Sequence, residues 1–156
     1  MRFLGIDYGH RRIGLALSDA TGMLARPWKA LARTGNTSQV AAALAEIVTA
    51  LVHEDDGLAG AVLGYPRTLG GEPTDQTSVV LALAGALKAR ITVPVVLQDE
   101  RLSSREAESL LARRVKNWRE RKPLLDAASA AVILQDYLDE RRSSLGSHEA
   151  QEDQPS

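Results

Sequence analysis

The stretch Arg2-Phe3-Leu4-Gly5-Ile6-Asp7-Tyr8-Gly9-His10-Arg11-Arg12-Ile13-Gly14-Leu15-Ala16-Leu17-Ser18 decides the fold. Residues 2–8 are apolar at both alternating sets of positions, as a central strand covered on both faces would be. Residues 12–18 alternate Ile13, Leu15 and Leu17 against Arg12, Gly14 and Ser18, which predicts a second strand. Tyr8-Gly9-His10-Arg11 between them is a short polar connection, so the two strands form a hairpin. Asp7 stands near the end of the first strand, where a carboxylate against buried surface is costly without a cation. The glycines around it let a backbone or a phosphate come close.

Outward from the hairpin, a third strand through about Leu24 to Ala32 completes an antiparallel meander. Residues 37–52 are Ala-rich, with Val40, Leu44, Ile47 and Leu51 at helical spacing, and predict a helix beginning near Asn36 or Thr37. The pattern then alternates. Leu58 to Tyr65 predicts a strand, Glu72 to Arg90 a helix, Val93 to Asp99 a strand, and Leu102 to Arg114 and Leu124 to Arg142 two further helices. Parallel strands need crossover helices, so this order predicts an α/β domain with a five-stranded mixed sheet and helices on both faces, the ribonuclease H-like arrangement. The domain is expected over residues 1–142, with a disordered tail over 143–156 that has nothing to bury.

A chain of 156 residues, 44% hydrophobic and 25% charged, suits one compact domain. No apolar run approaches the roughly 20 residues that cross a bilayer, and Met1-Arg2 leads straight into a strand, so a cytoplasmic protein is expected. The absence of cysteine excludes disulfides, thiolate metal sites and cysteine nucleophiles, and His10, His53 and His148 are too scattered for a zinc cluster. A net charge of -1 carries no global nucleic-acid signature, so any polyanion site must come from local clustering.

Two more acids share the setting of Asp7. Glu100 closes the strand containing Val95-Val96-Leu97, and Asp126 opens the apolar stretch to Leu138, on one helical face with Ala130, Ile133 and Tyr137. Each alone has a structural explanation as a turn residue, a cap or a first-turn acid complementing the helix dipole. Three such carboxylates with no basic partner in their own segments suggest hard divalent cations held by oxygen.

Gly5-Ile6-Asp7-Tyr8-Gly9 with Arg12-Ile13-Gly14-Leu15-Ala16, then Gly64-Tyr65-Pro66, Asp99-Glu100-Arg101-Leu102-Ser103 and the run Asp126 to Leu138 together resemble the YqgF/RuvX family across nearly the whole chain. The resemblance implies a ribonuclease H-like nuclease that processes the 5′ end of precursor 16S rRNA, with Asp7, Glu100 and Asp126 on the family's acidic positions. Those three would be both catalytic residues and ligands of two Mg2+ or Mn2+ ions, Asp7 bridging, because such a pair activates water and stabilises the leaving oxygen. Bacterial Holliday-junction resolvases carry a second acid three residues after the last-helix aspartate, where this chain has Ser129. That weighs against junction cleavage.

For substrate, residues 113–122 hold six cations, Arg113, Arg114, Lys116, Arg119, Arg121 and Lys122, against Glu120 alone, with Trp118 among them. Cations neutralise phosphates and an indole stacks on an unpaired base, which favours a single-stranded or frayed substrate. Arg12, Arg67 and Arg101 are further candidate phosphate contacts, and His10 is a candidate proton carrier. Expected partners are precursor rRNA, with single-stranded or branched DNA as alternatives, and ribosomal particles; a monomer or weak homodimer is expected. Competing functions are a Holliday-junction or branched-DNA resolvase, a single nucleotide-binding lobe of the actin and sugar-kinase type, and a non-catalytic rRNA-binding module.

Overall fold

The structure, a computed structural model, describes residues 1–66, 75–100 and 118–152. Within them the elements run β1 (Arg2–Tyr8), β2 (Arg12–Ser18), β3 (Ala25–Ala32), α1 (Thr37–His53), β4 (Leu58–Pro66), α2 (Asp75–Lys88), β5 (Val95–Glu100) and α3 (Trp118–Glu152). The five strands form one sheet in the order β3-β2-β1-β4-β5. The β1–β2 and β2–β3 pairs are antiparallel and the β1–β4 and β4–β5 pairs parallel. The meander followed by crossover strands is therefore the observed topology, with β1 at its centre.

Alternation along β1 feeds two cores. Leu4, Ile6 and Tyr8 pack with Ile13, Leu15 and Leu63 against α1 and α2 on one face. Phe3, with Ala16 and Val62, packs against Ala130, Ile133, Leu134 and Leu138 of α3 on the other. A strand buried on both faces is what its unbroken apolar run requires. Helix α1 starts where a capping box closes it: Asn36 Oδ1 accepts from Gln39 N at 2.9 Å, and Gln39 Oε1 accepts from Asn36 N at 2.8 Å. Gly35, at φ +85, makes the bend that leads into that cap.

Helix α3 departs from expectation at both ends. It begins at Trp118 rather than near Leu124, so the helix runs through Pro123 and forgoes the bond that residue's nitrogen would have donated. It also continues past Arg142 to Glu152, whereas the composition predicts a disordered tail from residue 143. Residues 143–145 of this extension are exposed. An established helix propagates at one hydrogen bond per added residue, and Glu149, Ala150, Gln151 and Glu152 are good helix formers. The helix expected over 102–114, the loop over 67–74 and the last four residues lie outside the described residues.

Candidate active site

Period-two alternation puts Asp7 on the same face of β1 as Phe3 and Gly5, the face that α3 covers. Two glycines let the helix come down onto that face. A Cβ on Gly5 would lie 2.8 Å from Leu134 Cβ and 2.9 Å from the Ala130 carbonyl oxygen. At Gly14 the fit is closer: a Cβ there would lie 1.9 Å from the Asp126 carbonyl oxygen and 2.4 Å from its carbonyl carbon. Gly14 is the cross-strand partner of Asp7. Paired residues in an antiparallel ladder are about 4.5–5.5 Å apart at Cα, so the backbone of Asp126 is seated directly beside Asp7.

The side chain of Asp126 is half-buried, and its Oδ2 lies 3.7 Å from Arg12 Nη1. Burial pushes its carboxyl above the ordinary carboxylate range, against the opposing pull of Arg12. Desolvation therefore outweighs the one nearby guanidinium, and this carboxylate gains from a further cation. Asp126 lies eight residues inside α3, whose first residue is Trp118. The helix dipole fades beyond the first turn, so it gives no account of an acid at this depth.

Asp126 also lines an open cavity of about 220 Å³ with Gly9, His10, Arg11, Arg12 and Leu125. The loop that forms this cavity is braced from three sides. Gly9 N donates to Arg12 O at 3.0 Å, Arg33 Nη1 donates to Gly9 O at 3.0 Å, and Gln76 Nε2 donates to Tyr8 O at 2.9 Å. Arg33 also stacks on Tyr8, 4.0 Å from the ring centroid, and its amide donates to Arg11 O at 2.9 Å. Sequence reasoning passed over Arg33 and Gln76. The signal for Arg33 was its place one residue beyond β3, where it meets the start of β2.

Glu100 is the last residue of β5, opposite Pro66 of β4, while Ile6 of β1 pairs with Leu63 of the same strand. The carboxyl ends of β1, β4 and β5 thus lie side by side. Gln98, two residues earlier, reaches α3 through a 3.1 Å bond from Nε2 to Glu140 Oε1. The Glu100 side chain lies outside the described residues, as do those of Trp118, Arg119, Arg121 and Lys122. Arg67, Arg101, Arg113, Arg114 and Lys116 lie outside them altogether. Among the described residues no three His, Asp or Glu side chains gather into a metal-holding group.

Residues 1–140 match the model of the RuvX family, described as Holliday junction resolvase. The chain belongs to the RuvX family. A relative from Desulforudis audaxviator is 38% identical over 143 residues, 92% of this chain and 97% of that protein. Another, from Leifsonia xyli subsp. xyli, is 40% identical over 141 residues, 90% of this chain and 87% of that protein. Both are named "Putative pre-16S rRNA nuclease". Among solved structures, RuvC from Thermus thermophilus superposes at TM-score 0.55 with 15% identity, covering 92% of this chain and 97% of that one. The same protein in complex with a Holliday junction substrate also superposes at 0.55, with 17% identity. That likeness is one of fold, the ribonuclease H-like fold read from the element order. Membership of the RuvX family makes the chain a nuclease, a hydrolase of phosphodiester bonds.

Proposed function

We propose that this RuvX-family nuclease is divalent-metal-dependent, with Asp7, Glu100 and Asp126 as catalytic ligands, and that it processes the 5′ end of precursor 16S rRNA. The observation that carries the reading is the seating of Asp126 on Gly14, beside Asp7. The donor set fits a hard cation: oxygen only, and one carboxylate raised by desolvation. When bound, Mg2+ or Mn2+ supplies an activated water and stabilises the leaving oxygen. Glu100 closes β5, whose carboxyl end lies beside that of β1, and the reading assigns it as the third ligand.

In this reading Arg12 holds Asp126 in position and offers its remaining donors to a substrate phosphate. The braced Gly9–Arg12 loop keeps that guanidinium in place, and His10 stands on the same cavity wall. Arg67, Arg101 and the cations of 113–122, with Trp118, extend the substrate path toward a single-stranded RNA. Residues 1–142 form the nuclease domain of a cytoplasmic protein, a monomer or weak homodimer, acting on ribosomal precursor particles. Among the described residues no helix is long and apolar enough to cross a membrane. RNA is favoured over a junction because the relatives bear the rRNA nuclease name and Ser129 replaces a resolvase acid.

The test compares wild-type and Asp7→Asn protein on labelled precursor 16S rRNA, single-stranded DNA and a four-way junction, with Mg2+, Mn2+ or chelator. Metal-dependent cleavage of the rRNA that disappears in Asp7→Asn supports the reading. Cleavage that survives either the substitution or the chelator refutes it, and preference for the four-way junction replaces the substrate.

A further inference from the structure

Between Asp19 and Glu46 the sequence contains no acidic residue, while Arg26, Lys29 and Arg33 fall within it. In a chain of net charge -1 that is a local segregation of charge. The segment includes β3, one of the two edge strands of the sheet. On β3, Arg26, Trp28 and Lys29 are all exposed, and Lys29 Nζ sits 4.3 Å from the centroid of the Trp28 ring. The ladder slips here: Ala16 pairs with Pro27 and Leu15 with Lys29, which leaves Trp28 as the unpaired residue of a bulge.

Pro27, the bulge and the two cations have an ordinary explanation, because such features keep an outer strand from pairing with another sheet. An exposed indole works against that purpose. The cations continue from β3 toward the acids, since Arg33 bonds to Arg11 and Gly9, and Arg12 lies beside Asp126. Register gives the distance. Ala30 pairs with Gly14 and Gly14 with Asp7, so Trp28 is two strands and two residues from Asp7. At about 4.8 Å per strand and about 3.3 Å per residue that is roughly 12 Å between backbones; α3 is seated on Gly14 between them, so a bound strand goes round the end of the sheet past Arg33 and Arg12.

We propose that the β3 edge is a nucleic-acid subsite in which Trp28 stacks an unpaired base of a single strand. Arg26 and Lys29, on the α1 side of β3, neutralise its phosphates, and Arg33 leads toward the end of β1 where Asp7 lies. The inference rests on the nuclease reading for its substrate class. Its test is read in chelator without cleavage, so the two fail separately.

The measurement is binding of a fluorescein-labelled oligouridine 12-mer by wild type, Trp28→Ala, Trp28→Phe and the Arg26→Ala/Lys29→Ala double variant, at several salt concentrations. Loss of one base stack is expected to weaken Trp28→Ala about tenfold, with Trp28→Phe retaining most of the affinity. The double variant should lower the salt slope by about 1 to 2. Because Trp28 and Trp118 are the two tryptophans, a Trp118→Phe protein reports Trp28 emission alone, and quenching by the oligonucleotide is expected. Unchanged affinity in Trp28→Ala, or an emission that ignores the RNA, overturns the proposal. Dimer dissociation in Trp28→Ala, seen by sedimentation, would overturn it in favour of a protein contact. Should Trp28→Ala fail to fold, the emission experiment on the native Trp28 decides alone.

Discussion

Replacing Gly14 with alanine should damage activity more than stability. The added Cβ would stand 1.9 Å from the Asp126 carbonyl oxygen, 2.4 Å from its carbonyl carbon and 3.1 Å from the Ala127 nitrogen. These are backbone atoms, which no rotamer change can move. Non-bonded heavy atoms settle about 3.5 Å apart, so this part of α3 must retreat by about 1.5 Å or the strand must bend away. Overpacking of this kind costs about 1–3 kcal/mol. For a chain of 156 residues that corresponds to a fall in Tm of about 2–12 °C. Displacing Asp126 from Asp7 by about 1 Å should cost about 100-fold in cleavage rate. Calorimetry and single-turnover cleavage of labelled precursor rRNA measure the two effects, and binding in chelator should change little. A Gly14→Ala protein that melts and cleaves like wild type would refute the placement of α3 on this glycine.

Gly85→Ala is the matching control. A Cβ there meets nothing within 4 Å, and on the exposed side of the last turn of α2 alanine should raise stability by up to about 0.5–1 kcal/mol with no change in cleavage, as a denaturant melt would show. Leu134→Ala empties a fully buried position on the sheet-facing side of α3 and should cost about 2–5 kcal/mol in the same melt. Asp19 should titrate near pH 2 by carboxyl carbon NMR, below its ordinary 3.8, because Thr21 Oγ1 and then the amides of Met23 and Leu24 donate to it. A carboxyl lowered in the folded state adds stability above pH 3.8 that is lost as pH falls toward 2, so the β2–β3 turn should loosen across that window. A midpoint at the ordinary value would show that those three bonds do not hold in solution.

The sheet was legible because each strand carries its environment in its pattern. β1 and β2 begin and end where the apolar run and the alternation predict, and α1 begins at the cap that Asn36 suggests. Ala130, Ile133 and Tyr137 do pack on the sheet with Phe3, as their spacing implies. The ends of α3 were not legible, since Pro123 and the polar residues after Arg142 argue for termini that helix propagation overrides. Nor was the reason the Asp126 backbone comes to rest on the strand partner of Asp7. The glycines of β1 and β2 read equally as seats for a phosphate or a backbone, and only the packed helix shows that a backbone fills them. Arg12 as a partner of Asp126 was hidden as well, because the two are far apart in sequence and meet only across the strand-to-helix contact.

The most direct test is an anomalous difference map from crystals soaked in Mn2+. Manganese density within about 2.2 Å of carboxylate oxygens of both Asp7 and Asp126 is the predicted result, at the short distances hard cations keep to oxygen. Density that avoids this pair, or carboxylates that stay apart in the presence of the metal, would contradict the account.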